Sequence, residues 1–202
     1  MPELIRAIRG FILSQPAQTS KFNRVSKQRK IHNIALVGFM GTGKTSVGHL
    51  LAENLHFEFA DTDHLIETRT GKTIRDIFEQ DGEPVFRELE KQLLTELAPR
   101  QRLIISCGGG LAADADNLAS LKTHALVICL WASPEKIWAR VRHQHHRPLL
   151  DDPDPQAKIR ALLTAREPFY RQSDVMVNTD LRSIKAIAQQ IAHQFRLAQT
   201  GR

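Results

Sequence analysis

The chain has 202 residues and a mass of 22.9 kDa, the size of one ordinary domain, or of one domain with a tail, that buries about 70% of its unfolded surface without needing a metal or a disulfide. Hydrophobic residues make up 42% and charged residues 25%, which excludes a disordered chain, while two cysteines, Cys107 and Cys129, exclude a disulfide framework and no apolar run reaches the roughly 18 residues that cross a bilayer. The net charge of +6 belongs to residues 1–30, with seven basic side chains and one acid, leaving 21 basic and 21 acidic groups for the rest; the pI of 9.6 therefore describes an appendage and is no argument for a nucleic-acid-binding body.

In that appendage Leu4, Ile5, Ile8, Phe11 and Ile12 recur at helical spacing, with Arg6 and Arg9 off the stripe and Ser14-Gln15-Pro16 ending it. An N-terminal extension that is mobile or docks loosely on the body is the first reading. A membrane-surface helix and an acid-poor organelle-targeting peptide are the alternatives. Arg6 and Arg9 break the apolar stretch and argue against a secretory signal.

From Ile31 the pattern alternates. Ile34 to Val37 reads as a short buried strand, followed by a helix from Lys44 to about Leu55. Phe57 to Ala60 is a second strand, leading to Asp61. Residues 64–69, 73–80 and 84–97 read as helices, and Pro84 suits a first helical turn. Leu103 to Ile105 and Ala125 to Trp131 are further strands, and Trp131 and Trp138 look like packing residues. Helices follow at Pro134 to about Arg142 and at 155–171, then a last strand at Val175 to Val177 and an amphipathic helix over 181–198. Near-continuous apolar strands separated by helices imply an α/β domain, 31–202, with a parallel sheet covered on both faces.

Gly38-Phe39-Met40-Gly41-Thr42-Gly43-Lys44-Thr45 matches G-x-x-x-x-G-K-[ST] between a strand and a helix. The glycines let consecutive N–H groups point at one anion, and the helix N-terminus adds partial positive charge. The phosphate-binding set is then Gly41, Thr42, Gly43, Lys44, Thr45 and Ser46, with Lys44 on the β- and γ-phosphates and the Thr45 hydroxyl on Mg²⁺. No Asn-Lys-x-Asp follows to read guanine, and the strand at 103–105 ends without an acid, so the second magnesium-side acid lies nearer the front, with Asp61 and Asp63 as the candidates. In an extended segment these two point the same way, one toward the metal and one toward an acceptor hydroxyl whose proton it takes.

Beyond these residues the chain carries Asp61-Thr62-Asp63-x-x-Ile66-Glu67, Ile77-Phe78, Gly82-Glu83-x-x-Phe86-Arg87-x-x-Glu90, Gly108-Gly109-Gly110, Arg147-Pro148-Leu149-Leu150 and Arg166-x-x-x-Tyr170. In these motifs and their order it resembles the shikimate kinases, small bacterial and plastid enzymes, from about Ile34 to the last helix. The resemblance implies a three-layer P-loop kinase fold, with a five-stranded parallel sheet, helices on both faces and a mobile lid. It implies transfer of the γ-phosphate of Mg-ATP to the 3-hydroxyl of shikimate, a step of aromatic amino-acid biosynthesis.

By the same similarity Arg87 and Arg166 fork the shikimate carboxylate, Asp63 holds ring hydroxyls and takes the proton, and Gly109 offers a backbone N–H at close approach. Asp61 and Thr45 serve magnesium, Lys44 and Arg147 meet the ATP phosphates and the transition-state charge, and Arg140 lies by the adenine. Glu90, one helical turn after Arg87, would orient it. Residues 140–152 read as a cationic lid that excludes water, with His143, His145 and His146 as solvated lid residues rather than metal ligands.

Two departures stand out: Cys107 occupies a position where the family commonly has threonine, and the basic extension is unusually long. The expected protein is a cytoplasmic monomer with no specific nucleic-acid partner, or a plastid protein if the extension is a transit peptide. The alternatives are a gluconate-type kinase on the same scaffold and a nucleotide-binding module without turnover.

Overall fold

Each apolar run becomes a strand in the computed structural model, which describes residues 29–143 and 152–200. The stripe at residues 4–12 and the heart of the expected lid, His145, His146 and Arg147 included, lie outside the described residues. The strands are β1 (Asn33–Val37), β2 (Glu58–Asp61), β3 (Leu103–Ser106), β4 (Ala125–Trp131) and β5 (Val175–Asn178). All pair in parallel, in the order β2-β3-β1-β4-β5.

Successive side chains alternate across a strand. Ile34, Leu36 and Ile104 therefore pack on one face, where helices α1 (Lys44–Leu55) and α8 (Ile184–Thr200) cover them with Val47, Leu51, Ile187 and Phe195. Ala35, Val37 and Ile105 face the other side. That side carries α2 (Thr62–Thr70), α3 (Ile74–Gln80), α4 (Glu83–Leu97), α5 (Ala115–His124), α6 (Pro134–Val141) and α7 (Pro155–Tyr170). Gly48 is a contact point between layers: a Cβ there would stand 2.4 Å from the Phe59 ring.

Capping explains most helix starts. Thr73 and Asp76 form a reciprocal capping box at α3, and Asp114, Ser133 and Asp154 accept first-turn N–H groups of α5, α6 and α7. The sequence reading lacks α5, whose signals were Asp114 as cap and Leu118 and Leu121 three residues apart on the buried side. It also begins the last helix too early. Leu181 is 89% exposed, and α8 starts at Ile184 after Ser183, whose hydroxyl accepts the Ala186 N–H at 3.2 Å.

The correction that matters for the site concerns residues 61–63, which are not an extended segment. Asp61 ends β2 and caps α2, accepting the His64 N–H at 3.4 Å, while Thr62 and Asp63 form the first helical turn. Aspartate is poor in a strand interior and strong as an N-cap, so the chain turns there. The connections from neighbouring strands β1 and β3 leave in opposite directions, toward β2 and β4. Their carboxyl ends thus flank a switch-point crevice, where ligands of open α/β sheets bind.

Candidate active site

The loop between β1 and α1 forms one wall of that crevice. Gly38 has φ 135°, and a Cβ on it would stand 2.2 Å from the Leu130 carbonyl oxygen, so no other residue fits. The buried Thr42 hydroxyl donates to Phe39 O at 2.8 Å and stiffens the turn. Lys44 Nζ donates to Gly38 O and Phe39 O, each at 2.9 Å, which folds the ammonium over the loop. The Thr45 hydroxyl donates to Asp61 Oδ2 at 3.3 Å. A hydroxyl and a carboxylate side by side are hard oxygen donors, a set that fits Mg²⁺ bound mostly through phosphates and water. Among the described residues no cluster of three or more His, Cys, Asp or Glu is able to hold a metal.

The facing wall is Gly108-Gly109-Gly110, directly after β3. A Cβ at Gly108 would lie 2.3 Å from Asp63 Oδ1, and one at Gly110 would lie 2.9 Å from Arg87 Nη1. At Gly109 the nearest atoms are Arg166 Nη1 and the Met40 backbone nitrogen, both at an ordinary 3.7 Å. Three glycines in a row therefore abut Asp63, Arg166 and Arg87 in turn, with the phosphate loop opposite. The protein's own crowding falls at positions 108 and 110 rather than at 109. Thr62, wholly buried, joins the helix start to this loop by accepting the Gly108 N–H at 2.8 Å.

Both acceptor-side arginines are held by the protein. Arg87 Nη1 donates to Glu90 Oε2 at 2.7 Å, and Nη2 and Nε donate to Glu83 Oε1 at 2.7 and 3.1 Å. Burial, with Asp63 and Asp114 nearby, pushes the Glu90 carboxyl above its ordinary range, and the Arg87 hydrogen bond opposes that rise. Arg166 Nη1 donates to Gly109 O at 2.9 Å, and its guanidinium lies 5.3 Å from the centre of the Phe39 ring, linking the two walls. Tyr170 donates to the same carbonyl at 3.1 Å, and burial pushes its phenol up to about 12.

Cys107 is buried behind the glycines. Burial drives its thiol well above the ordinary range, with Lys44 opposing and Glu90, Asp63 and Asp61 adding to the rise. It is an inert packing group.

Alongside the phosphate loop runs a cleft of about 290 Å³ lined by Gly43, Ser46, Val47, Arg140, Thr179 and Ile184, among others. Arg140 Nη1 donates to Gly41 O at 3.0 Å and to the Thr179 hydroxyl at 3.1 Å, and Nη2 donates to Thr179 O at 2.7 Å.

Of the residues expected from the sequence, Gly41, Thr42, Gly43, Ser46 and Arg140 line the cleft, Lys44 folds over the phosphate loop and Thr45 meets Asp61, and Asp63, Arg87 and Arg166 lie against the glycines at 108, 110 and 109; Arg147 lies outside the described residues. Thr62 carries no role in the sequence reading because its contact with Gly108 is tertiary, and the loop Asn178-Thr179-Asp180 is read there as adenine-facing with no contacts assigned to its residues. Geometrically the site combines an anion cradle with a carboxylate and two guanidinium forks set along the facing glycine run. That arrangement suits phosphoryl transfer to a hydroxyl on a small carboxylate-bearing molecule.

The family model for shikimate kinase matches residues 40–196. The chain is 38% identical over 170 residues to the shikimate kinase of Thermodesulfovibrio yellowstonii, covering 84% of this chain and 98% of that one. The shikimate kinase from Acinetobacter baumannii in complex with shikimate superposes with a TM-score of 0.78 at 41% identity, over 82% of this chain and 93% of the other. A gluconokinase from Sinorhizobium meliloti superposes with a TM-score of 0.56 at 17% identity, over 86% and 97% of the two chains, a likeness of fold alone.

Proposed function

The chain belongs to the shikimate kinase family and is a phosphotransferase; we propose that it moves the γ-phosphate of Mg-ATP to the 3-hydroxyl of shikimate at the crevice between residues 38–43 and the three glycines. The observation that carries this reading is the glycine run, with Asp63, Arg166 and Arg87 against successive positions and the Met40 nitrogen across from the middle one.

In this reading the planar carboxylate of shikimate sits between the forks of Arg87 and Arg166, which match it bidentately. Glu83 and Glu90 hold the Arg87 fork in place. Asp63 orients the acceptor hydroxyl and takes its proton as the oxygen attacks the γ-phosphorus and the bond to the departing ADP oxygen breaks. Lys44 leaves the Gly38 and Phe39 carbonyls for the β- and γ-phosphates, while N–H groups of residues 41–46 cradle the phosphate chain. Arg147 adds positive charge as the γ-phosphoryl is transferred. Thr45 and Asp61 would hold Mg²⁺, which when bound neutralises charge on the phosphate oxygens. No covalent enzyme intermediate is needed.

We read the protein as a cytoplasmic monomer whose ligands are ATP and shikimate, with residues 1–30 as an appendage to catalysis. No described helix is long and apolar enough to cross a membrane. The test is ADP release from Mg-ATP with shikimate, gluconate, a nucleoside monophosphate or no acceptor. Release that depends on shikimate is the expected result; release without it, or preference for gluconate, would overturn the assignment.

A further inference from the structure

One carbonyl in the glycine run, that of Gly109, is held by two side chains of α7 at once, and the two are not equally free to leave it. We propose that Tyr170 is a positioning residue: it keeps hold of the Gly109 carbonyl so that Arg166 can turn from that carbonyl to the carboxylate of the acceptor. The inference rests on the acceptor-side role proposed above for Arg166.

Arg166 and Tyr170 are four residues apart at the end of α7, so both project from one face of the helix. Arg166 Nη1 donates to Gly109 O at 2.9 Å, and the Tyr170 hydroxyl donates to the same oxygen at 3.1 Å. A carbonyl oxygen has two lone pairs, and these two donors fill them. Tyr170 is 2% exposed and packed into the core. Burial pushes its phenol up to about 12, so it keeps its proton at neutral pH and remains a donor. Arg166 is only half-buried. Its guanidinium has five N–H donors and no acceptor, so a carboxylate entering the crevice competes for its fork with charge in its favour.

If Arg166 were the sole donor, turning to the carboxylate would strip the carbonyl of its partner and charge that loss against acceptor binding. Tyr170 removes the cost. It also fixes the plane of the trans peptide joining Gly109 to Gly110, whose N–H points opposite to the carbonyl. Neither glycine has a side chain to resist rotation of that plane as the arginine departs.

Tyr170→Phe keeps the ring and deletes the hydroxyl. Calorimetry on the full chain would measure the affinities of shikimate and ADP, and thermal unfolding would follow the free protein. The expected result is shikimate weakened about three- to tenfold, the size of one lost hydrogen bond, with ADP affinity unchanged. The melting temperature of the free protein should barely move, because Arg166 still covers the carbonyl. With Arg166→Ala already in place, the same substitution should lower the melting temperature by several degrees, because no side-chain donor then remains. Unchanged shikimate affinity in Tyr170→Phe, beside clear binding by the native protein, would overturn this inference alone. So would an equal fall in melting temperature in both backgrounds, the mark of a hydroxyl that serves packing only. A native protein that fails to bind shikimate would overturn the acceptor assignment and this inference with it.

Discussion

At the amino end of the sheet Asn33 spends its whole amide inside the protein. Oδ1 accepts the Leu103 N–H at 3.0 Å, and Nδ2 donates to Arg100 O at 2.8 Å and to His124 Nδ1 at 3.0 Å. Beside it Asp174 takes Arg29 Nη1 and Nη2 at 2.8 and 3.1 Å and the Val127 N–H at 2.9 Å. At the carboxyl end Lys44, Arg87 and Arg166 are also hydrogen-bonded internally, but these contacts border a crevice instead of closing one. Polar groups at one end lock strands together; at the other they border open space, where under the proposed function a ligand competes for them. Substitutions at the two ends should therefore be read by different instruments.

The largest expected effect is at the open end. Asp63→Asn should lower kcat by about 10²–10⁴-fold while ADP still binds and the midpoint of unfolding barely moves; a variant that loses stability instead would erase the contrast between the ends. Arg87→Ala should raise the KM for shikimate about ten- to a hundredfold, since it deletes charge-assisted bonds to a carboxylate, and an unaltered KM would remove it from the acceptor site.

The closed end should answer in stability. Arg29→Ala leaves the nearly buried Asp174 carboxylate without its cation, and urea unfolding should record a loss of about 3 kcal/mol with kcat/KM intact. The smallest effect is a pH dependence. Burial, then the charges of Arg29 and His32, holds the His124 imidazole below its ordinary pKa of 6.5, and Nδ1 must stay unprotonated to accept from Asn33. The unfolded chain therefore takes the proton first, so the His124 contribution is complete above about pH 6.5 and erodes below it, by at most about 1.4 kcal/mol per pH unit. His124→Gln should flatten that part of the melting-temperature profile between pH 7.5 and 5.5.

The sequence made the open end far more legible than the closed one. Gly38 to Thr45 announces itself because a backbone shape and a charge must coincide within eight residues, and the strands show as apolar runs because both faces of the sheet are covered. Asp61 and Asp63 reach the crevice as expected, yet by a capped helix start in place of an extended alternation. The α5 helix escaped because its Ala-, Asp- and Asn-rich turns follow a glycine loop and expose no long apolar period. Asn33 with His124, and Arg29 with Asp174, are 91 and 145 residues apart. No local pattern links such pairs, and counting Arg29 among the charges of a tail concealed a strut of the body.

The bare loop after β3 has a consequence for how this enzyme would fail. A single methyl group at position 108 would meet the Asp63 carboxylate at 2.3 Å, and one at 110 would press on the Arg87 guanidinium at 2.9 Å. The flexible end of Arg87 can give way at 110, but the short Asp63 side chain must move at 108, so one nucleotide change in the gene, Gly108→Ala, is expected to yield a protein that still captures ATP and spends it poorly, a competitor for the nucleotide in place of a catalyst.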